Sequence, residues 1–275
     1  MSDAPLLEKP SSKPLETIGT TGMTSAERLF MALCGLALLA ASIGVGRHIC
    51  EAIAEQLPDD GSWWLRLQTV PWSAWWFAML HFISALASLF IGYVVIAWAY
   101  PRRGLAREGR TNPAAAILSG AHLMSAVVIT GVSWGGLDAS SLLVSATFCA
   151  LGWLAMIIIA FGHRVVTRYH DEEEIAAGNT AAALSAAGLQ IAVVIVVSHA
   201  IQGQFIGWGA SLASFAIALV WTVALYPLRQ VVLARFILRM HPRALDAAIA
   251  VKRDHRLAAA EALCYLLSAL CLSAW

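Results

Sequence analysis

The chain has almost no lysine. Only Lys9, Lys13 and Lys252 occur, and none falls in the middle of an apolar run, which excludes a retinal-type Schiff base. Charge of either sign is scarce, at 13% of residues, where a soluble domain carries about 25%. A net charge of +1 gives no footing for a nucleic-acid partner. No Walker A, HExxH or GxSxG pattern occurs, so the chemistries tied to those motifs are not indicated. The five cysteines, Cys34, Cys50, Cys149, Cys264 and Cys271, are scattered without a CxxC pair. All but Cys50 sit in apolar runs and read as small hydrophobes rather than ligands or bridges. The sequence therefore offers no catalytic constellation, no metal-ligand set and no cofactor motif, and the chain is expected not to be an enzyme.

Apolar length is what the chain has in plenty. Hydrophobic residues make up 59% of its 275 positions, and the mean hydropathy is +0.71. A helix needs roughly 20 apolar residues to cross a bilayer. Seven runs qualify: Leu29–Gly46, Ala74–Ala99, Ala114–Trp134, Ser141–Phe161, Thr180–Ile201, Ile206–Leu228 and Leu257–Trp275. Ten-residue alternating segments, the mark of a membrane β-barrel, are missing. The expectation is an all-α, polytopic membrane helix bundle of seven spans, with the lipid bilayer as its first partner. Residues 1–27, with Pro5, Pro10 and Pro14, read as a disordered cytoplasmic tail rather than a cleaved leader. Residues 28–99 hold the first two spans and a Trp-rich outer loop.

Basic residues orient the bundle. With the N-terminus inside, Lys9, Lys13, Arg28, Arg102, Arg103, Arg107, Arg110, Arg164, Arg168, Arg229, Arg235, Arg239, Arg243, Lys252, Arg253 and Arg256 face the cytoplasm. Only Arg47 and Arg66 lie outside, as does the C-terminus. Trp63, Trp64, Trp72, Trp75, Trp76, Trp134, Trp208 and Trp275 then gather at the outer boundary as an interfacial belt.

An internal repeat runs through residues 100–275. Asn112-Pro-Ala-Ala-Ala opens the third span, Asn179-Thr-Ala-Ala-Ala the fifth, and Arg256-Leu-Ala-Ala-Ala-Glu the seventh. The unit is a hairpin of down-helix, charged loop, Ala triplet and up-helix. It occurs three times in one orientation, a set of three parallel helix-hairpin repeats. Asn179 is expected to cap its helix, and the Ala triplets to allow close helix approach. Aligning Gly120 with Gly188 sets His122 and Gln190 at one depth.

The stretch Glu174…Gly178-Asn179-Thr180-Ala181-Ala182-Ala183…Gly188 resembles the domain-of-unknown-function 350 (YjfL-like) family. The resemblance covers roughly Gly92 to Trp275, as two overlapping four-span units. Pro113 departs from the pattern in the first copy, and the third copy lacks the Asn. The resemblance implies a bacterial inner-membrane protein. It carries no reaction or catalytic residues to transfer.

Ionisable and polar groups inside spans are costly and are candidates for function. Here they are His81, His122, Gln190 and Glu261, with His199 near an outer end. The ordinary reading of His122 and Gln190 is interhelical hydrogen bonding. That of Glu261 is an interfacial anchor paired with Arg253 or Arg256; an interior Glu261 would instead carry a proton or a cation. The loop from Arg229 to Arg256 reads as a basic amphipathic extension of the sixth span, broken at Pro242 and followed by a short helix. Two functions follow: a scaffold or accessory protein that engages a cytoplasmic protein partner through the basic loops, or a small transporter or channel with a path past His122 and Gln190.

Overall fold

The computed structural model describes residues 70–99, 112–135, 138–166, 170–202 and 205–273, with isolated positions between 39 and 68. The tail at 1–27, most of the first apolar run, the Trp63–Trp64 loop, the loop at 100–111 and Trp275 lie outside the described residues. All described regular structure is helical. The helices are α1 (Trp72–Ala99), α2 (Pro113–Ser133), α3 (Ala139–Val166), α4 (Asp171–Ala176), α5 (Thr180–Ile201), α6 (Trp208–Leu228), α7 (Pro242–Ala250) and α8 (His255–Ser273). A π-helical stretch, Arg229–Ile237, continues α6.

Five of these helices are long and apolar enough to cross a membrane: Trp72–Val95, Pro113–Ser133, Ala139–Ile159, Thr180–Ile201 and His255–Ser273. The apolar part of α6, Trp208–Val223, is shorter. Such a set belongs to a multi-pass membrane protein. Phe90, Ile158, Val220 and Leu267 stand exposed on the outside of the bundle, where lipid would meet them.

The core is built around α5. It packs most extensively against α8 and α2, and it also touches α3 and α6. Its sequence explains the position: the run from Ala181 to Gly188 has no side chain larger than Leu184, so neighbours come close on every face. α5 comes close to α8 at Gly188. A Cβ there would lie 2.3 Å from Ala262 Cβ and 2.6 Å from Ala262 Cα. Gly120, which the sequence pairs with Gly188, has open space at its Cβ position and plays no such part. Ala114, Ala115, the Ala181–Ala183 triplet and Ala258 share one buried cluster with Leu118, Ile175, Leu233, Leu245 and Ile249.

The short helix α4 precedes α5, and Glu172, Glu173 and Glu174 are three of its six residues. One loop expectation needs a refinement. Pro242 does not act chiefly as a breaker: it sits in the first turn of α7, where a missing N–H costs nothing.

Candidate functional site

Three long helices, α2, α5 and α8, begin at the same end of the bundle, and each begins with a side-chain cap. Asn112 Oδ1 accepts from the N–H groups of Ala114 and Ala115 at 2.9 and 3.3 Å. Asn179 Oδ1 accepts from Ala181 and Ala182 at 3.1 and 3.2 Å. Asp254 Oδ1 accepts from Arg256 and Leu257 at 2.9 and 3.2 Å. Asp254 is thus the third cap, hidden from the sequence because it stands four residues before its Ala triplet rather than two.

The two asparagines do more. A helix leaves its last carbonyls without intrahelical donors. Asn112 Nδ2 donates to the carbonyls of Ile175 and Ala176, at the end of α4. Asn179 Nδ2 donates to those of Ile249 and Ala250, at the end of α7, at 3.1 and 2.9 Å. It also reaches Glu174 Oε2 at 3.0 Å. Each amide therefore starts one helix and closes another that is 63 to 71 residues away in the chain. An aspartate has no N–H to give, so the series ends at Asp254.

Counted from these caps, His122 lies at position 10 and Gln190 at position 11. His122 corresponds to Leu189, not to Gln190. The glycine alignment is one residue out, which turns a side chain by about 100° around its helix. The two groups share a depth within about one residue rise, but not a face.

Two buried polar contacts flank α5. On its α2 side, Gln190 Nε2 donates to Ser125 Oγ at 3.3 Å, and Ser125 donates to Ala121 O at 2.8 Å. His122 is buried on the same helix as Ser125. On its α8 side, Ser185 Oγ donates to Glu261 Oε2 at 2.8 Å, and Tyr265 OH donates to Glu261 Oε1 at 3.4 Å. Ser185 and Gln190 are five residues apart, about 140° around the helix. Glu261 is 1% exposed, so it is turned into the bundle rather than snorkelling to the surface. The structure thus brings Glu261 to Ser185 and Tyr265, and Gln190 to Ser125, but on opposite faces of α5. Sequence reasoning misses Ser125, Ser185 and Tyr265; their only signal is helical spacing from a neighbour already suspected.

His81 belongs to neither contact. It is fully buried in α1. Its Nδ1–H donates to Phe77 O at 2.8 Å, and Nε2 stands 3.4 Å from Ser141 Oγ. Its ring meets the edge of Trp134, with centroids 6.2 Å apart. Among the described residues no group of three His, Cys, Asp or Glu side chains is placed to hold a metal ion.

At the start of α8 the backbone carries an outlier. Arg253 has φ 53°, and Arg239, after the π-helical stretch, has φ 51°. The left-handed region costs an L-residue about 1 kcal/mol and is ordinarily given to glycine at helix ends. The two turns close alike: Asp254 N–H reaches Ala248 O at 3.0 Å, and Met240 N–H reaches Ala234 O at 2.8 Å. Both arginines are exposed, as are Arg235, Arg243, Lys252 and Arg256. One guanidinium nitrogen of Arg253 stands 3.5 Å from Ala177 O, at the limit of hydrogen bonding.

The family model for Domain of Unknown Function (DUF350) matches residues 136–275, half of the chain, taking in α3 to α8 and leaving out Asn112. The chain belongs to that family. No curated protein and no solved structure matches it.

Proposed function

We propose that this family member is a seven-span protein of the bacterial inner membrane, built of three parallel hairpins after a first span, with its N-terminus and its capped end in the cytoplasm. Its work there is non-enzymatic: it presents a fixed basic surface to a cytoplasmic protein partner. The observation that carries this reading is the placement of Arg239 and Arg253 in left-handed turns where glycine would relieve strain. A strained residue points to a use for its side chain. The two share their end of the bundle with the exposed Arg235, Arg243, Lys252 and Arg256, and with the exposed Phe236 and Val251. The Asn179 clamp on α7 keeps that surface in one arrangement. A partner with an acidic, partly apolar face fits it.

The test is the double substitution Arg239→Gly, Arg253→Gly. It relaxes two helix ends and should raise stability by up to about 1 kcal/mol at each. On this reading it also weakens cross-linking from a photoreactive residue at position 236 to a discrete cytoplasmic protein. A more stable protein with unchanged cross-linking defeats the proposal.

A second reading, transport of a proton or cation, is favoured by the burial of Glu261 between Ser185 and Tyr265. Glu261→Gln keeps the shape and removes the charge. Full complementation of a deletion phenotype by Glu261→Gln, with failure of the double glycine variant, decides for the scaffold. The reverse pattern decides for transport.

A further inference from the structure

The opposite end of the bundle, where α2 and α5 end and α3 and α6 begin, is open. A cavity of about 520 Å³ lies there. Its polar lining is unusual in kind. Its polar side chains are serines, Gln202 and the indoles of Trp134 and Trp208, with no charged side chain among the described lining residues. Ser145 is occupied, since it donates to Gly135 O at 3.2 Å. Three groups are not. Ser133 Oγ, Ser211 Oγ and Trp134 Nε1 are buried and have no hydrogen-bond partner among the described residues. The Cys149 thiol lies near Ser133 and Trp134, but sulfur is a weak acceptor and leaves both donors short. Ser133 is 8% exposed and Trp134 is 4% exposed. Buried donors left unsatisfied cost about 1–3 kcal/mol each, and all three of these residues line the same cavity, where a ligand with hydroxyl groups would supply partners.

This cavity continues into a second space. A cleft of about 980 Å³ shares Ala200, Gln202 and Ser214 with it. The rest of that cleft runs between α5, α6 and α8, and Val196, Ile217, Trp221 and Leu272 make it largely apolar, with His199 at its edge. A hydroxyl-lined chamber therefore opens onto an apolar groove on the side of the bundle. Phe205 and Trp208 stand at the chamber with their rings 5.1 Å apart.

We propose that this cleft binds an amphiphile drawn from the membrane, with an uncharged, hydroxylated head group of the alkyl-glycoside or glycolipid class. The head sits among Ser133, Trp134 and Ser211, and the chain lies in the groove beside Ile217 and Trp221. Each part of the assignment has its reason. An ionised head would be taken out of water with no opposite charge in the lining, which is costly. A hydroxyl both donates and accepts, so it suits serine hydroxyls and an indole N–H together. The apolar face of a ring lies well against Trp208 and Phe205. The inference rests on α5 and α6 spanning the membrane; it is independent of the basic-surface partner at the other end.

The experiment uses the full chain in lipid nanodiscs and a dodecyl glucoside with a photoreactive diazirine in its chain. After photolysis, labelled peptides are read by mass spectrometry. Labelling should saturate, fall within the segments holding Val196, Ile217 or Trp221, and be competed by octyl glucoside but not by glucose. The same probe with a phosphocholine or phosphoglycerol head should label these segments weakly and without saturation. Equal labelling by all three heads means ordinary lipid contact and overturns the proposal. Competition by glucose as strong as by octyl glucoside means a free-sugar site and overturns the membrane source. Ser211→Leu fills the chamber and removes a donor, and should cut saturable labelling about five-fold. Leu263→Phe, on the exposed face of α8, should leave it unchanged. Undiminished labelling of a folded Ser211→Leu protein overturns the proposal. If that variant does not fold, the head-group comparison on the unaltered chain decides by itself.

Discussion

The two ends of the bundle are made of the same helices but follow different rules. At the capped end, alanines and Gly188 let α5 touch α8 backbone to backbone, and Asn112 and Asn179 satisfy both a helix start and a helix finish. At the tryptophan end two clefts open, lined by Trp134, Phe148, Phe205, Trp208 and Trp221, and the Ser133 and Ser211 hydroxyls lack hydrogen-bond partners among the described residues. A membrane protein cannot rely on burial alone to bring helices together, because lipid is as apolar as leucine. It packs where small residues permit and bonds where polar groups meet. Here both devices are concentrated at one end, which leaves the other free to open and bind.

The largest effect that would break this contrast is at the α5–α8 crossing. Gly188→Leu has to push α8 away, since its Cβ would overlap the backbone of Ala262. It should destabilise by more than about 3 kcal/mol and separate Ser185 from Glu261. Gly120→Leu, with open space at its Cβ, should be tolerated. Thermal unfolding in detergent checks both, and similar melting temperatures for the two variants would show that α5 does not depend on close approach.

The clamps come next. Asn179→Ala removes a fully buried amide and leaves the last carbonyls of α7 without their donors. The expected cost is about 3 kcal/mol. Asn112→Ala should cost less, about 1–2 kcal/mol. Asn112 is only half-buried, and Ile175 O keeps a second donor in Gly178 N–H at 3.0 Å. Asp254→Asn gives the third helix the missing N–H groups without a carbonyl placed to use them, and should be close to neutral. Hydrogen exchange at the ends of α4 and α7 reads the clamps directly; equal protection in Asn179→Ala and the unaltered chain would remove the clamp from the account.

How much of this is legible in the sequence follows from the range of each interaction. The helices, the cap at Asn179 and the close packing of alanines are local, and spacing of a few residues reveals them. The clamps reach across 63 to 71 residues, and nothing in the spacing says which carbonyls an amide will find. The match of His122 with Gln190 holds in depth to about one residue rise but not in face, for a different reason. It takes glycine as the register mark, but Gly120 and Gly188 do different work, and the caps are the better mark because they fix the first turn. The interior placement of Glu261 is one of two readings open to a residue one turn inside a span, and only its neighbours Ser185 and Tyr265 decide between them. The serine chamber is invisible in the sequence because its members come from four helix ends, each too ordinary to notice alone.

The smallest effect compares the caps themselves. Asp138 caps α3 at the tryptophan end, as Asn179 caps α5 at the other. Its Oδ1 accepts from Ser140 Oγ at 2.6 Å and from Ser141 N–H at 2.8 Å, and the residue is exposed. The Ser140 hydroxyl first, and the Ser141 N–H second, hold its carboxyl below the ordinary range. A group whose folded pKa is depressed adds stability above its unfolded pKa and loses it as pH falls toward the folded value. The loss should therefore begin near the ordinary aspartate value of about 3.9 and be complete below the depressed one. At an exposed site, solvent screening keeps the whole contribution small, about 0.5 kcal/mol. Asp138→Ala should lower stability by that amount at neutral pH and by nothing in strong acid. Asp138→Asn retains a cap without a charge, so its difference from the unaltered chain should shrink as the pH falls. If Asp138→Ala instead costs as much as Asn179→Ala, and does so at every pH, the tryptophan end is fastened as firmly as the capped end, and the contrast between them fails where it is easiest to measure.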